Sequence, residues 1–243
     1  MRALVYLAVA ATTLLTWWLL TVTGTVAPLI LPPINEVVTA LRQQDPVVPM
    51  AITTARAAYG FALATLLAVP IGVVLGRDQL LNRAYEPLLA TVAAVPLVVL
   101  YPVLAATLGL GTSSKVVLGG LYAFFPIAIA TTRAVQQIDP ELVTAMRSMG
   151  ARGADLTRTV VIPSALPGIV SGLRVGLGLA LVTVVAGEFI AGDEGVGYQL
   201  AASSQGYQSA ALFAWVVLAI ALTIVVNTVF TAMATTLERT LRR

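Results

Sequence analysis

The sequence predicts an all-α integral membrane protein with six transmembrane helices, on three observations. Of its 243 residues 58% are hydrophobic and only 10% charged; a soluble domain carries about 25% charged residues, so there is too little polar side chain to cover a soluble globule. The apolar residues fall in six runs near the ~20 residues a helix needs to cross a ~30 Å hydrocarbon core. One long polar interval, Asp139 to Pro163, interrupts them.

The first run, Ala3 to Val22, exceeds the ~7–15 apolar residues of a secretion-signal core and lacks a small-x-small site behind it. It is expected to be a retained first span. Residues 24–50 hold Pro28, Pro32, Pro33, Pro46 and Pro49, a density that excludes a span. One short interfacial helix, Asn35 to Arg42 with Asn35 as its cap, fits there. Span two is expected from Thr53 to Leu75, followed by a charged loop of Arg77, Asp78, Arg83 and Glu86. Span three, Leu88 to Leu108, should break at Pro96 and Pro102. Span four runs from Lys115 to Thr132 through Pro126, span five from Leu166 to Ile190, and span six from Ala210 to Met233. Residues 191–209 read as a Gly- and Ser-rich loop. The whole chain, 1–243, reads as a single transmembrane domain.

The polar interval reads as two short helices. Asp139 caps the first and Pro140 suits its first position, where the missing N–H costs nothing. Leu142, Ala145, Met146 and Met149 form one apolar stripe at i, i+3, i+4, i+7. Gly150 is the residue type that closes a helix in the left-handed conformation. A second helix fits Gly153 to Val161, with Pro163 near its end.

With six spans both termini share a side. If that side is cytoplasmic, it holds ten of the fourteen basic residues, including Arg2, Arg77, Arg83, Arg147, Arg239, Arg242 and Arg243, against Arg42, Arg56 and Lys115 outside. The positive-inside rule then puts both termini and the interval 139–163 in the cytoplasm of a multi-pass cell-membrane protein. The net charge of +3 is therefore a topology signal and not a nucleic-acid footprint. The chain has no Cys and no His. That excludes disulfides, thiol chemistry and histidine acid–base catalysis. No metal and no cofactor are expected. The chain has no Gly-x-x-x-x-Gly-Lys-Ser/Thr run, so no P-loop nucleotide site of its own is expected either.

Gly150, Val160, Val161, Ile162 and Pro163 resemble the cytoplasmic signature of permease subunits of binding-protein-dependent ABC importers. That pattern is Glu-Ala-Ala, three residues, Gly, then an apolar cluster ending in Pro thirteen residues after the Gly. Ala145 matches its first Ala, while Thr144 and Met146 stand where the pattern has Glu and the second Ala. Leu31-Pro32, Val37, Arg56 with Gly60-Phe61, Pro70-Ile71-Gly72, Phe124-Phe125-Pro126, Asp139-Pro140-Glu141, Gly172-Leu173-Arg174, Ala186-Gly187-Glu188-Phe189 and Gly195-Val196-Gly197-Tyr198 fit the nitrate/sulfonate/taurine branch in order.

The resemblance implies the type I importer fold and a permease homodimer in the lipid bilayer. It further implies a cytoplasmic ABC ATPase dimer that binds ATP and Mg, and an external solute-binding protein. The implied cargo is a small solute, an anion such as nitrate, a sulfonate or taurine, or else a pyrimidine precursor or aromatic acid. It also implies that Thr144, Ala145, Met146, Arg147, Met149, Gly150, Leu156 and Pro163 form the segment that docks on the ATPase. A secondary transporter would carry ionisable residues deep in its spans, and a membrane enzyme would cluster its acids at one depth; this chain has few of the first and none of the second.

Three charges mark a candidate pathway or gate: Arg56 at the outer end of span two, and Arg174 and Glu188 in span five. Arg174 and Glu188 are fourteen residues apart, roughly 21 Å along a helix, so they share a face without pairing. Glu188 is read either as a gate or as a structural hydrogen bonder. Arg174 either lines the pathway or snorkels to the interface, and Arg56 either draws anions or anchors the helix. Gly172 and Gly176 form a small-xxx-small pair that packs within the subunit or at a dimer seam.

Overall fold

The computed structural model describes residues 2–241. Met1, Arg242 and Arg243 lie outside the described residues, as do the side chains of residues 2–4, 7, 10, 79, 86, 90, 93, 94 and 237–241. The chain begins with α1 (Arg2–Val22), the short α2 (Ile34–Gln43) and the long α3 (Val47–Arg77). Next come α4 (Gln79–Ala94), a 3-10 turn (Leu97–Leu100) and α5 (Tyr101–Leu108). α6 (Thr112–Gln136) leads to the polar helix α7 (Pro140–Ser148). α8 (Gly153–Leu156), a π-helical turn (Thr157–Val161) and α9 (Ile162–Ala191) follow. α10 (Val196–Gln205) and α11 (Ser209–Leu241) close the order. No strand occurs among the described residues.

Four helices are long and apolar enough by themselves to cross a membrane: Val47–Arg77, Thr112–Gln136, Gly153–Ala191 and Ser209–Thr236. They correspond to spans two, four, five and six. α1, with 21 residues, reaches about 31 Å. The expected third span is not one helix. Val95 is extended ahead of Pro96, as the proline ring requires of its predecessor. The break is satisfied locally, because the Val98 N–H donates to Tyr122 Oη at 2.9 Å.

Five expectations need correction. The charged loop after span two shrinks to Asp78. Its Oδ1 accepts from the N–H groups of Leu80 and Leu81 at 2.9 and 3.1 Å, so α4 starts at once and contains Arg83. α2 begins at Ile34 behind Pro33 and uses no side-chain cap, so Asn35 is not its cap. Pro102 lies in the first turn of α5, where it interrupts nothing. Residues 191–209 are mostly helix, α10, rather than loop. The second polar helix does not stop at Pro163 but runs on into α9 as one 39-residue rod, Gly153–Ala191. The π-helical turn just before Pro163 spaces carbonyls differently from an α-turn, which accommodates a residue with no N–H to give.

The core is a trio, with α6 packed between α3 and α9. α3 presents Gly60, Ala64, Ala68, Gly72 and Gly76 at four-residue spacing, one continuous small-residue face. A Cβ on Gly60 would stand 2.6 Å from the Val116 carbonyl oxygen, and one on Gly72 would stand 2.6 Å from Thr131 Cβ. α9 presents Gly168, Gly172, Gly176 and Ala180 to the other side of α6 in the same way. A Cβ on Gly172 would lie 2.6 Å from Ala130 Cβ, and one on Gly176 would lie 2.7 Å from Ile127 Cδ1. Gly172 and Gly176 therefore pack within the subunit. Ala68, Ala123, Ile127, Ala128 and Ala180 are fully buried between the three helices.

α11 packs through Trp215 and Leu222 against Ala57, Leu181 and Val184. Trp215 Nε1 donates to Gln44 Oε1 at 3.0 Å. The end of α1 is pinned by Trp17, whose Nε1 donates to the Pro32 carbonyl at 2.9 Å and whose ring meets Phe213 at 5.4 Å.

The backbone contact at Gly60 cannot be relieved by a rotamer change. Gly60→Val is expected to destabilise the protein by about 1–3 kcal/mol or more through overpacking. Gly111→Ala, where a Cβ meets nothing within 4 Å, should be near neutral. Thermal unfolding of the detergent-purified variants measures both, and equal midpoints would contradict the close α3–α6 approach.

Candidate functional site

Polar groups concentrate at two places, at opposite ends of the trio. The first is buried. Thr53 and Arg56 lie one turn apart on α3, and Glu188 lies near the end of α9; all three are essentially inaccessible, at 0%, 2% and 0% exposure. α3 and α9 run in opposite directions, so the start of one meets the end of the other. Arg56 Nη1 donates to Glu188 Oε1 at 2.8 Å. The second carboxylate oxygen accepts from Thr53 Oγ1 at 2.8 Å and from the Gly197 N–H at 3.0 Å. Thr53 Oγ1 in turn accepts from the Val196 N–H at 2.9 Å.

The rest of the Arg56 guanidinium is engaged as well. Nη1 donates to the Glu194 carbonyl at 3.1 Å and Nε to Thr112 Oγ1 at 3.3 Å. Nη2 pairs closely with the Glu194 carboxylate, and Asp193 Oδ1 lies 4.0 Å away. Lys115, also fully buried, donates from Nζ to the carbonyls of Leu110 and Gly111. A buried charge is tolerated only when paired and hydrogen-bonded, and both ions of the Arg56–Glu188 pair meet that condition.

The segment after α9 folds over this pair because it is nearly side-chain-free there. Gly195 takes a φ of +98°, and a Cβ on it would lie 2.4 Å from the Glu188 carboxylate. A Cβ on Gly197 would lie 2.1 Å from the Val185 carbonyl oxygen. The two glycines let the backbone approach close enough for the Gly197 N–H to reach the acid, and α10 begins from that contact.

The second place is exposed. Asp139 Oδ1 accepts from the Glu141 N–H at 2.8 Å, capping α7 as its sequence predicts. At the other end the Gly150 N–H bonds the Arg147 carbonyl at 3.0 Å and the Ala151 N–H bonds the Met146 carbonyl at 3.0 Å. With Gly150 at φ +93°, this is a Schellman closure. α7 has no buried residue. Ala145, Arg147 and Met149 are exposed, Met149 at 79%, and Met146 is half-buried. Thr144 Oγ1 donates back to the Pro140 carbonyl at 2.8 Å. Leu156, expected to offer apolar contact, is instead turned into the chain's own interior. Pro163 is exposed in the first turn of α9.

The structure thus joins Arg56 to Glu188, a pairing not foreseen when each was read alone. Arg56 is buried and closed to solvent. Arg174 is exposed on α9, and no carboxylate among the described residues pairs with it. Sequence reasoning missed Thr53 and Glu194 altogether. A signal existed for the pair. Arg56 continues the four-residue rhythm of the α3 small face, and Glu188 continues that of α9, so both stand at the outer rung of faces that meet α6.

Residues 68–243 match the family model described as "binding-protein-dependent transport system inner membrane component". The chain belongs to this family of ABC transporter permeases. The permease is 32% identical over 198 residues to a protein of Brucella melitensis described as a probable ABC transporter permease, covering 81% of this chain and 80% of that one. It is 28% identical over 204 residues to the taurine transport system permease TauC of Escherichia coli, covering 80% and 74% of the two chains. Its fold matches a chain of an inward-facing methionine ABC transporter with a TM-score of 0.68 at 20% identity, over 80% of the permease and 95% of that chain. The architecture is therefore that of type I ABC importer permeases, in a multi-pass inner-membrane protein. The family match begins inside α3, so Thr53 and Arg56 lie upstream of it.

Removing one partner of a buried pair leaves the other charge uncompensated. Arg56→Met and Glu188→Met are each expected to cost about 3–5 kcal/mol, and the double variant less than their sum. A double-mutant cycle on thermal unfolding reads the coupling; additive losses would show that the two side chains do not stabilise each other.

Proposed function

We propose that this permease forms the translocation pathway of an ABC importer as a homodimer. A small solute would arrive on an external binding protein, and ATP hydrolysis on a separate cytoplasmic ATPase dimer would drive it through. The permease itself binds no ATP or Mg. Both termini face the cytoplasm. The observation that carries this reading is α7: a short helix closed at both ends by its own groups, with no buried residue, in a chain of this family. Such a helix suits docking into a groove of a soluble partner. Leu142, Met146 and Met149 offer apolar contact, and the exposed Arg152 and Arg158 orient the docking by charge.

The solute proposed is a small anion such as taurine, a sulfonate or nitrate. Two relatives are named for the first two, TauC of Escherichia coli and the aliphatic sulfonates permease SsuC of Bacillus subtilis. Others are named for riboflavin and for formylaminopyrimidine, so both belong in the substrate panel.

The Arg56–Glu188 centre is proposed as the outer gate. The rod Gly153–Ala191 connects the docking segment to Glu188 without a break, so a displacement at α7 and α8 reaches the ion pair along one stiff element. Arg174, exposed midway, is assigned to the pathway wall.

The test is ligand-stimulated ATP hydrolysis by the permease purified with its ATPase and binding protein, across taurine, alkyl sulfonates, nitrate, a formylaminopyrimidine and riboflavin. Stimulation by one class is expected. Transport that follows an ion gradient without any co-purifying ATPase would refute the reading. Gly150→Val strains a backbone at φ +93° although a Cβ there meets nothing. It is expected to abolish the stimulation while leaving expression and membrane insertion unchanged.

A further inference from the structure

A crevice of about 610 Å³ lies between the end of α3, the start of α4, α7 and the π-helical turn. Its two ends differ in chemistry. Val69, Val73 and Ile162 line the apolar part. Arg77, Arg147 and Thr157 form the polar mouth, and Asp78 is the only carboxylate lining it among the described residues. That carboxylate is engaged in capping α4 through Oδ1. Arg77 Nη1 donates to Thr157 Oγ1. Neither Arg77 nor Arg147 is paired with a carboxylate among the described residues. Both are exposed.

Depth decides what these two cations face. Arg77 follows Arg56 by 21 residues along α3, about 32 Å at the helical rise. This matches the ~30 Å hydrocarbon thickness. No charged residue lies between Arg56 and Arg77, from Ala57 to Gly76, so Arg77 ends the uncharged run of α3 at the level expected for lipid phosphates. Along α3 the order Val69, Val73, Arg77 runs from acyl-chain chemistry to phosphate chemistry.

We propose that this crevice binds the headgroup of an anionic phospholipid. Its phosphate would bridge the guanidiniums of Arg77 and Arg147, with Val69, Val73 and Ile162 against the upper acyl chain. Arginine suits this contact because its planar fork matches phosphate oxygens, and basic pockets between helices at a membrane surface take such headgroups. The bridge joins α7 to α3. The side-chain hydrogen bonds of Thr144, Ser148 and Asp139 stay within α7 or its cap. The lipid site rests on the membrane-embedded fold and not on docking to an ATPase.

Native mass spectrometry of the purified permease, offered phosphatidylglycerol and phosphatidylcholine in equal amounts, tests the site. Retention of phosphatidylglycerol about tenfold over phosphatidylcholine is expected, a preference worth about 1.4 kcal/mol. The Arg77→Gln/Arg147→Gln double variant should lose the preference, and Arg83→Gln, a surface control, should keep it. Equal uptake of the two lipids by the wild type, or an unchanged preference in the double variant, overturns the proposal. So does calorimetric binding of inorganic phosphate to the crevice without lipid preference, which would assign it to a soluble anion. An ATPase that fails to assemble would count only against the proposed function, because the lipid is read on the permease alone.

Discussion

In a bilayer the hydrophobic effect does not hold helices together, because lipid tails are as apolar as leucine. What remains is close van der Waals contact and a few polar bonds. The trio α3, α6 and α9 depends on that constraint. Faces built of glycine and alanine at four-residue spacing bring backbones to distances at which a single added methyl group would collide, as at Gly60 and Gly172. Other features hang on this contact. α11 leans on the trio through Trp215, and α2 and the end of α1 lean on α11 through Ala214, Phe213 and Trp17.

The ion pair at the outer rung is held by different physics. Arg56 and Glu188 would each carry a large desolvation penalty alone. Together, with Thr53, Thr112, Glu194 and the Gly197 amide as partners, every oxygen of the acid is bonded and the guanidinium is surrounded by acceptors. Close packing of the small faces against α6 makes this possible, since it sets the register of α3 against α9. The pair then fixes the backbone from Asp193 to Gly197 and with it the start of α10.

Much of this was legible in the sequence. Single helices cover the long apolar runs except the third, which is split at Pro96 into the end of α4 and α5, because length and composition suffice to mark a membrane helix but not its breaks. The caps of α7 were readable because Asp139-Pro140 and Gly150 act through local hydrogen bonds alone. The failures are of another kind. α10 was hidden because its glycines, Gly195 and Gly197, read as loop, whereas they serve close approach to Glu188. The end of the second polar helix was misplaced because Pro163 reads as a breaker unless the turn before it is π-helical. The Arg56–Glu188 pair needed a three-helix register. Each face carries that register, but a residue read by itself does not show it.

The closure of α7 has a further consequence. A nine-residue helix in water is ordinarily only marginally populated. Here the Asp139 cap, the Gly150 Schellman turn and the tethers to α6 and α8 hold it formed with nothing bound. Its ordering entropy is thus lost during folding and not at association. A partner that docks on it meets a rigid shape, and little of the contact energy is diverted into winding the helix. Preorganisation of this kind lets a small contact surface yield more net affinity than a segment that must fold on docking.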